Sequence, residues 1–445
     1  MDRWTDSLRG HNPPLFLYRL LSSLALLAYA PYGLLRSWLA GRRLGDIRGR
    51  LGKRPYPDLS GGIWLHAVSV GEVAVARSLI EAIERRGPKT RIGLSVTTAA
   101  GRELAERVLA GRASVFAFPF DLAGPVESAL SGARPGLVLL TETEIWPLFL
   151  DRAATLGVPV ALVNGRISPR SFSRYRLAGR LVRQALSRIS LFAMQTADDA
   201  RRIEALGAPA DRITVTGNIK FDIMSPALFA DAVRLKQAAA GRPVVVGAST
   251  AEGEESILLE AWRPIASRSL LALAPRRPER FDEVATLVER AGFSVIRRSH
   301  PDEIRNPKSE IRNLPSVYLL DSIGELASLY GEASLAFIGK SLRATGGHNP
   351  IEAWAQGVAV VAGPHMENFR EIAERGAMEG FLMSVRDGRE LAAVFASWAR
   401  DASSAARKGK TAQAFVAANR GAAETTAKRV LELLDRSRWQ SGAAL

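Results

Sequence analysis

Glu72 stands three residues after Ser69 in HAVSVGEVAVARSLIEAI, where an apolar run ends and a helical pattern opens. Two readings of that spacing are open. Ser-x-x-Glu is a capping box, in which the glutamate bonds back to the Ser69 amide and contributes about 1 kcal/mol to the helix start. The other reading makes Glu72 a general base at the carboxyl edge of a sheet. A hydroxyl group is a poor nucleophile at neutral pH, and a positioned carboxylate contributes on the order of 10²–10⁴ in rate. A second turn, GKSLRATGGHNPIEAWAQG, places Gly346 and Gly347 where a backbone can approach a ligand, with Asn349 as N-cap and Pro350 at the first helical position. Unpaired amides there suit a phosphate, and a plain capped helix is the alternative. His348 and Glu352 add a polar cluster that packing alone does not explain. In the third turn, GASTAEGEE (247–255), Ser249 and Thr250 are expected to face a ligand. Glu252, Glu254 and Glu255 would repel phosphate if turned inward and are expected to face solvent.

The residue inventory narrows the chemistry. There is no cysteine, so disulfides, thiolate nucleophiles and Cys-ligated zinc are excluded. The five histidines, His11, His66, His300, His348 and His365, form none of the close pairs that metal sites favour. No metal is expected.

The elements that must position these turns repeat one grammar twice. After residue 61, short apolar runs alternate with helical stretches such as Val73–Arg86 and Arg102–Leu109. In the first half the strand candidates are 62–68, 91–97, 114–120, 136–142, 159–165, 190–196 and 213–218. The pattern restarts with 243–249, 270–276, 292–298, 317–322, 335–340 and 358–363. Uninterrupted apolar strands with helical crossovers indicate parallel sheets covered on both faces. The expected fold is α/β: two doubly wound, Rossmann-like domains facing a cleft, with ligands beyond the carboxyl ends of the strands. The expected divisions are 1–54, a membrane-associating helical segment; 55–222; a linker with one helix at 223–242; 243–412; and 413–445. The last is read as a helix over Gln413–Arg436 that packs back on the first domain.

The chain's 60 Lys and Arg outnumber its 45 Asp and Glu, a net +15 that favours anionic partners. Residues 1–54 carry +7 of that excess. Within them the uncharged run from Leu20 to Leu35, LLSSLALLAYAPYGLL, is flanked by Arg19, Arg36, Arg42 and Arg43. It is shorter than the roughly 20 residues a span requires and is broken at Pro31-Tyr32-Gly33. A helix lying in or dipping into one leaflet with arginines on anionic head groups fits best; a core helix and a cleaved signal are the alternatives. No nucleic-acid motif is visible.

Taken together, these segments resemble the 3-deoxy-D-manno-octulosonic acid (Kdo) transferases of lipopolysaccharide synthesis. The matching pieces, in order, are HAVSVGEV (66–73), TETEIWP (141–147), NGRIS (164–168), GNIKFD (217–222), ASTAEGEE (248–255), APRRPERF (274–281), DSIGELASLYGEASLAFIGKSL (321–342), GGHNPIEA (346–353) and GPHMENF (363–369). Their joint order and spacing carry the resemblance. It implies the GT-B fold, an acceptor on the N-terminal domain and CMP-Kdo on the C-terminal one. It also implies inverting transfer to an anionic lipid A precursor (lipid IVA) at the cytoplasmic face of the inner membrane, without a metal. By similarity Glu72 is the general base, with Glu144, Glu142, Lys220 and Arg166 on the acceptor side. Ser249, Thr250, Arg276, Ser341, Gly346, Gly347, His348, Asn349 and Glu352 belong to the donor side, Glu352 on the ribose. The chain departs from the pattern at Ala251 and Arg277, where histidine is common, at Lys340 in place of glycine, and at Leu148 in place of asparagine. A transferase or epimerase of the same fold using a uridine nucleotide is the alternative.

Overall fold

A computed structural model describes residues 14–24, 46–87, 90–223, 229–300 and 315–442 of the 445-residue chain. The chain divides into two compact units. The first takes the residues up to Ile223 together with those from Arg420 onward; the second is Met224–Asn419.

The first unit is built on seven parallel strands: β1 (Ile63–Ala67), β2 (Ile92–Val96), β3 (Ser114–Phe116), β4 (Leu137–Thr141), β5 (Val160–Gly165), β6 (Leu191–Met194) and β7 (Ile213–Val215). Their order is β3-β2-β1-β4-β5-β6-β7. Every residue of β1, β2, β4 and β5 is buried, as their continuous apolar runs require. One face packs on Trp64, Phe118, Phe149 and Phe192, the other on Val75, Leu79, Ile80, Val430 and Leu434. The strand order reverses between β1 and β4, so the carboxyl ends of those two strands open a crevice suited to ligands. Glu72 follows β1, and Glu142 and Glu144 follow β4.

The second unit has its own seven-stranded parallel sheet: β8 (Val244–Thr250), β9 (Leu270–Pro275), β10 (Ser294–Arg297), β11 (Ser316–Leu319), β12 (Ala333–Ile338), β13 (Ala359–Ala362) and β14 (Leu382–Ser384). The order is β10-β11-β9-β8-β12-β13-β14, with the reversal between β8 and β12. Strand β14 is not among the sequence expectations. It is three residues long with only Leu382 buried, too little for a hydropathy pattern.

Two expectations need correction. The single helix over Gln413–Arg436 is two helices, Ala402–Ala418 and Ala422–Gly442, separated at Asn419-Arg420-Gly421. Gly421 takes φ 94°, and both oxygens of Asp222 receive amides from the new start, Gly421 N and Ala423 N, each at 2.7 Å. The second of these helices packs in the first unit, burying Ala423, Ala427, Val430 and Leu434. Within 223–242, Phe229–Ala239 is helical, and residues 224–228 lie outside the described residues.

Of the apolar N-terminal run, residues 25–35 lie outside the described residues. A helix, α1, covers 14–24. Its Tyr18 hydroxyl donates to buried Asp121 at 2.9 Å, and its Phe16, Leu17, Leu20, Leu21 and Leu24 are exposed. Among the described residues no helix is long and apolar enough to cross a membrane.

Candidate functional site

The first unit gathers its chemistry at the reversal point. Helix α2 (Val70–Arg86) opens at Ser69, whose extended backbone and hydroxyl cap the Glu72 amide at 3.5 Å. The return bond differs from the capping-box expectation: Glu72 Oε2 accepts from the Val68 amide at 2.8 Å, one residue earlier than Ser69. Glu72 Oε1 accepts from the Ser69 hydroxyl at 3.0 Å. The Thr141 hydroxyl at the end of β4 lies 2.8 Å from both Glu72 Oε2 and the His66 carbonyl. These donors favour the carboxylate, yet Glu72 is only 8% exposed and burial outweighs them. Its pKa is raised, with the charge of Glu142 adding to the effect. A helix-start glutamate is thus capping and basic together.

Glu144 is pushed up to about 7, first by burial and then by the negative charge of Glu72. Glu142, in the left-handed region at φ 56°, pairs with Lys220 Nζ at 3.0 Å. Arg166 follows β5, half-buried, and its carbonyl accepts the Thr143 hydroxyl. Helix α3 (Pro147–Thr155) starts just beyond Glu144 and is capped from outside by Asp121, through Leu148 N at 3.2 Å and Phe149 N at 2.8 Å. Helix α4 (Pro169–Leu177) sends Tyr175 to the same place. Its hydroxyl donates to the Thr143 carbonyl at 3.3 Å, and burial together with the Glu144 charge raises its pKa. Thr141 and Tyr175 were not singled out from sequence. Thr141 lies inside TETEIWP and was legible there; Tyr175 carries no local signal.

The two other matching segments of this unit also carry structural bonds. Asn164 Oδ1 accepts from Ile219 N at 3.0 Å, stitching NGRIS to GNIKFD, and Asp222 starts the terminal helix as described above.

The second unit overturns several expectations. Glu254 and Glu255 do not face solvent; both are fully buried at the start of α5 (Glu254–Trp262). Glu254 accepts amides from Ala251 at 2.9 Å, Lys340 at 2.7 Å, Ser341 at 3.0 Å and Leu342 at 2.9 Å. Glu255 pairs with Arg280 at 2.8 Å and accepts the Thr250 hydroxyl at 2.8 Å. The repulsion argument assumed bare charges, whereas here each is consumed by donors. Thr250 is therefore buried, with its hydroxyl taken by Glu255. Ser341 is also buried, donating to the Ile338 carbonyl at 2.5 Å and accepting from Gly363 N at 2.8 Å. Ser249 alone of the hydroxyls is half-buried, at φ 52°.

The glycine turn also differs from expectation. Gly346 N already donates to Glu367 at 2.7 Å and Gly347 N to the Lys340 carbonyl at 2.8 Å, so neither amide is unpaired. Asn349 accepts from Ile351 N at 3.0 Å, while Pro350 takes the cap position of a helix, α6, only five residues long (Ile351–Ala355). The positive charge at this turn comes from side chains. His348 is held neutral, its pKa down to about 4, by burial and then by the positive charges of Arg276 and Lys340. Glu352 is half-buried in the first turn of α6, and its charge helps raise the buried Tyr330 phenol. Among the described residues no three acidic or histidine side chains converge in metal-holding geometry.

Residues 41–223 match the family described as 3-deoxy-D-manno-octulosonic-acid transferase (kdotransferase), and residues 299–415 match glycosyl transferases group 1. The 3-deoxy-D-manno-octulosonic acid transferase of Bordetella pertussis is 35% identical over 386 residues, covering 82% of this chain and 88% of that one. The corresponding protein of Haemophilus influenzae is 34% identical over 339 residues, covering 74% and 77%. In fold, the chain is like the UDP-GlcNAc 2-epimerase of Neisseria meningitidis, with a TM-score of 0.54, 12% identity, and coverage of 84% and 100%.

Proposed function

The chain belongs to the Kdo transferase family and is a glycosyltransferase of the GT-B fold; from that premise we propose that it moves Kdo from CMP-Kdo onto a lipid A precursor, with Glu72 as general base. The observation that carries this is a nearly buried carboxylate at the carboxyl edge of β1, made more basic by burial although it accepts bonds from Val68 and Ser69. In the reaction an acceptor hydroxyl attacks the anomeric carbon of Kdo, the bond to the phosphate oxygen breaks, and CMP departs. Glu72 takes the hydroxyl proton. One direct displacement inverts the configuration. Glu144, largely protonated below pH 7, is a hydrogen-bond donor to the acceptor sugar, and the Glu142–Lys220 pair keeps the patch from carrying three bare charges. Arg166 belongs to this acceptor side. In the second unit Arg276 and His348 hold the donor, Ser249 lies on its rim, and Glu352 takes a ribose hydroxyl. Positive charge beside the leaving phosphate stabilises the transition state.

The acceptor's setting follows from α4 and the next helix, Gly179–Ser187. Residues 169–188 carry Arg170, Arg174, Arg176, Arg180, Arg183 and Arg188, all exposed, and no acidic residue. Leu177 among them is 90% exposed, and Tyr175 fixes α4 beside Glu144. With the exposed leucines of α1, this forms a basic and apolar face suited to an anionic lipid surface at the cytoplasmic side of the inner membrane.

Incubation with CMP-Kdo and a tetraacylated lipid A precursor, followed by mass spectrometry of the lipid, tests the reaction. Glu72→Gln keeps the acceptor oxygen for Val68. Transfer is expected to fall by about 10²–10⁴ with little change in Tm. Near-normal transfer by the variant would reject Glu72 as base.

A further inference from the structure

Lys340 occupies a backbone conformation that a lysine rarely adopts. It follows β12 at φ 59°, in the left-handed region that favours glycine. Strain of this kind persists only where the surroundings impose it. Here both peptide groups are pinned: Lys340 N donates to buried Glu254 at 2.7 Å, and its carbonyl accepts Gly347 N at 2.8 Å. That clamp aims the side chain across the glycine turn. The ammonium nitrogen lies 3.5 Å from the point where a Cβ on Gly346 would sit. A Cβ there would also meet Asn368 Nδ2 at 2.8 Å, so the bare glycine lets both the ammonium and the Asn368 amide reach the turn.

Positive charge gathers at this turn. Arg276 and Lys340 both act on the neutral His348, and among the described residues neither cation forms an ion pair; the carboxylate of Glu367, at the same turn, accepts from the Gly346 amide and pairs with His365. The neutral His348 has a buried Nε2 with no hydrogen-bond partner. The nearby carboxylate of Glu254 is already consumed by backbone amides. An anion with several acceptor oxygens would complete the set. Donors arriving from three side chains suit a tetrahedral phosphate better than a planar carboxylate.

We propose that Lys340 is a phosphate-binding residue of the donor site, its ammonium presented beside Gly346 and His348 by a strained backbone. The inference rests on the donor reading of the second unit. It adds Lys340 to Arg276 and His348 as a group that holds the leaving phosphate.

Titration calorimetry on the full chain, with CMP, CMP-Kdo, cytidine and UDP as ligands, tests it. Lys340→Gln keeps the strain and removes the charge. It is expected to weaken CMP by roughly tenfold or more while leaving cytidine unchanged. Lys340→Gly is expected to lose the same affinity but to melt higher, by about 2–4 °C, because glycine relieves the backbone. A side chain kept only for packing would instead melt lower when removed. Unchanged CMP affinity in Lys340→Gln overturns the proposal. If CMP is unaffected but CMP-Kdo binds more weakly, the contact is to the sugar carboxylate and the phosphate assignment is wrong. A wild type that binds UDP but not CMP defeats the donor reading separately, and Lys340 is then judged on UDP. A wild type that binds none of these nucleotides removes both.

Discussion

Glu72 and Glu144 share one poorly solvated patch, so the charge of one sets the proton affinity of the other. Burial raises Glu144 and the Glu72 charge raises it further, from 4.5 to about 7. The folded state therefore holds this proton more tightly than the unfolded chain does. The resulting stabilisation is complete below about pH 4.5 and is lost as pH rises to about 7. A shift of that size corresponds to roughly 3 kcal/mol. Glu144→Gln is expected to remove this fall, which Tm measured across pH 4–8 in both proteins will show; parallel curves would contradict the assignment. Backbone strain marks the same sites. Among the described residues, four of the six non-glycine residues at positive φ, Glu142, Asn164, Ser249 and Lys340, sit at the carboxyl ends of strands. In each unit the two belong to neighbouring strands, β4 with β5 and β8 with β12.

At the scale of elements, buried carboxylates build loops as well as sites. Glu254 gathers the amides of the turn after β12, which would otherwise be buried without acceptors. Glu254→Ala is expected to cost about 3–5 kcal/mol, because each orphaned amide retains its desolvation penalty. Denaturant unfolding will report it, and a loss below about 1 kcal/mol would show that water or relaxation replaces the carboxylate. Asp121 has a similar task in the first unit, where it caps α3 and receives Tyr18 from α1. Tyr18→Phe should leave the sheet intact and speed hydrogen exchange in residues 14–24, since it removes the hydrogen bond that ties α1 to α3. Exchange unchanged in that segment would mean that α1 is held by packing alone.

At the scale of the molecule, the first unit is discontinuous in sequence. Its helical layer on α2 is completed by the terminal helix Ala422–Gly442, whose Ala423, Ala427, Val430 and Leu434 share one core with Val75, Leu79 and Ile80. A chain ended at Asn419 would expose that face. Hydrogen exchange is expected to rise throughout the first sheet while the second unit, which loses nothing, keeps its protection. Equal protection in both sheets would show that the terminal helix is dispensable.

Among the described residues, thirteen of the fourteen strands were legible in the sequence, the central ones such as β1, β4, β8 and β9 because a strand buried on both faces must be apolar throughout. The Glu72 turn was legible for a similar reason: cap residues and carboxylates at strand ends have local signatures. Local sequence could not decide which way a charged side chain turns. Glu254 and Glu255 read as solvent-facing until the loop after β12 and Arg280, both distant in the chain, supplied their partners. The raised proton affinity of Glu144 likewise depends on its burial and on Glu72, which the neighbouring strand β1 brings beside it. Desolvation and charge pairing are properties of what surrounds a residue in space, and only the tertiary structure fixes that.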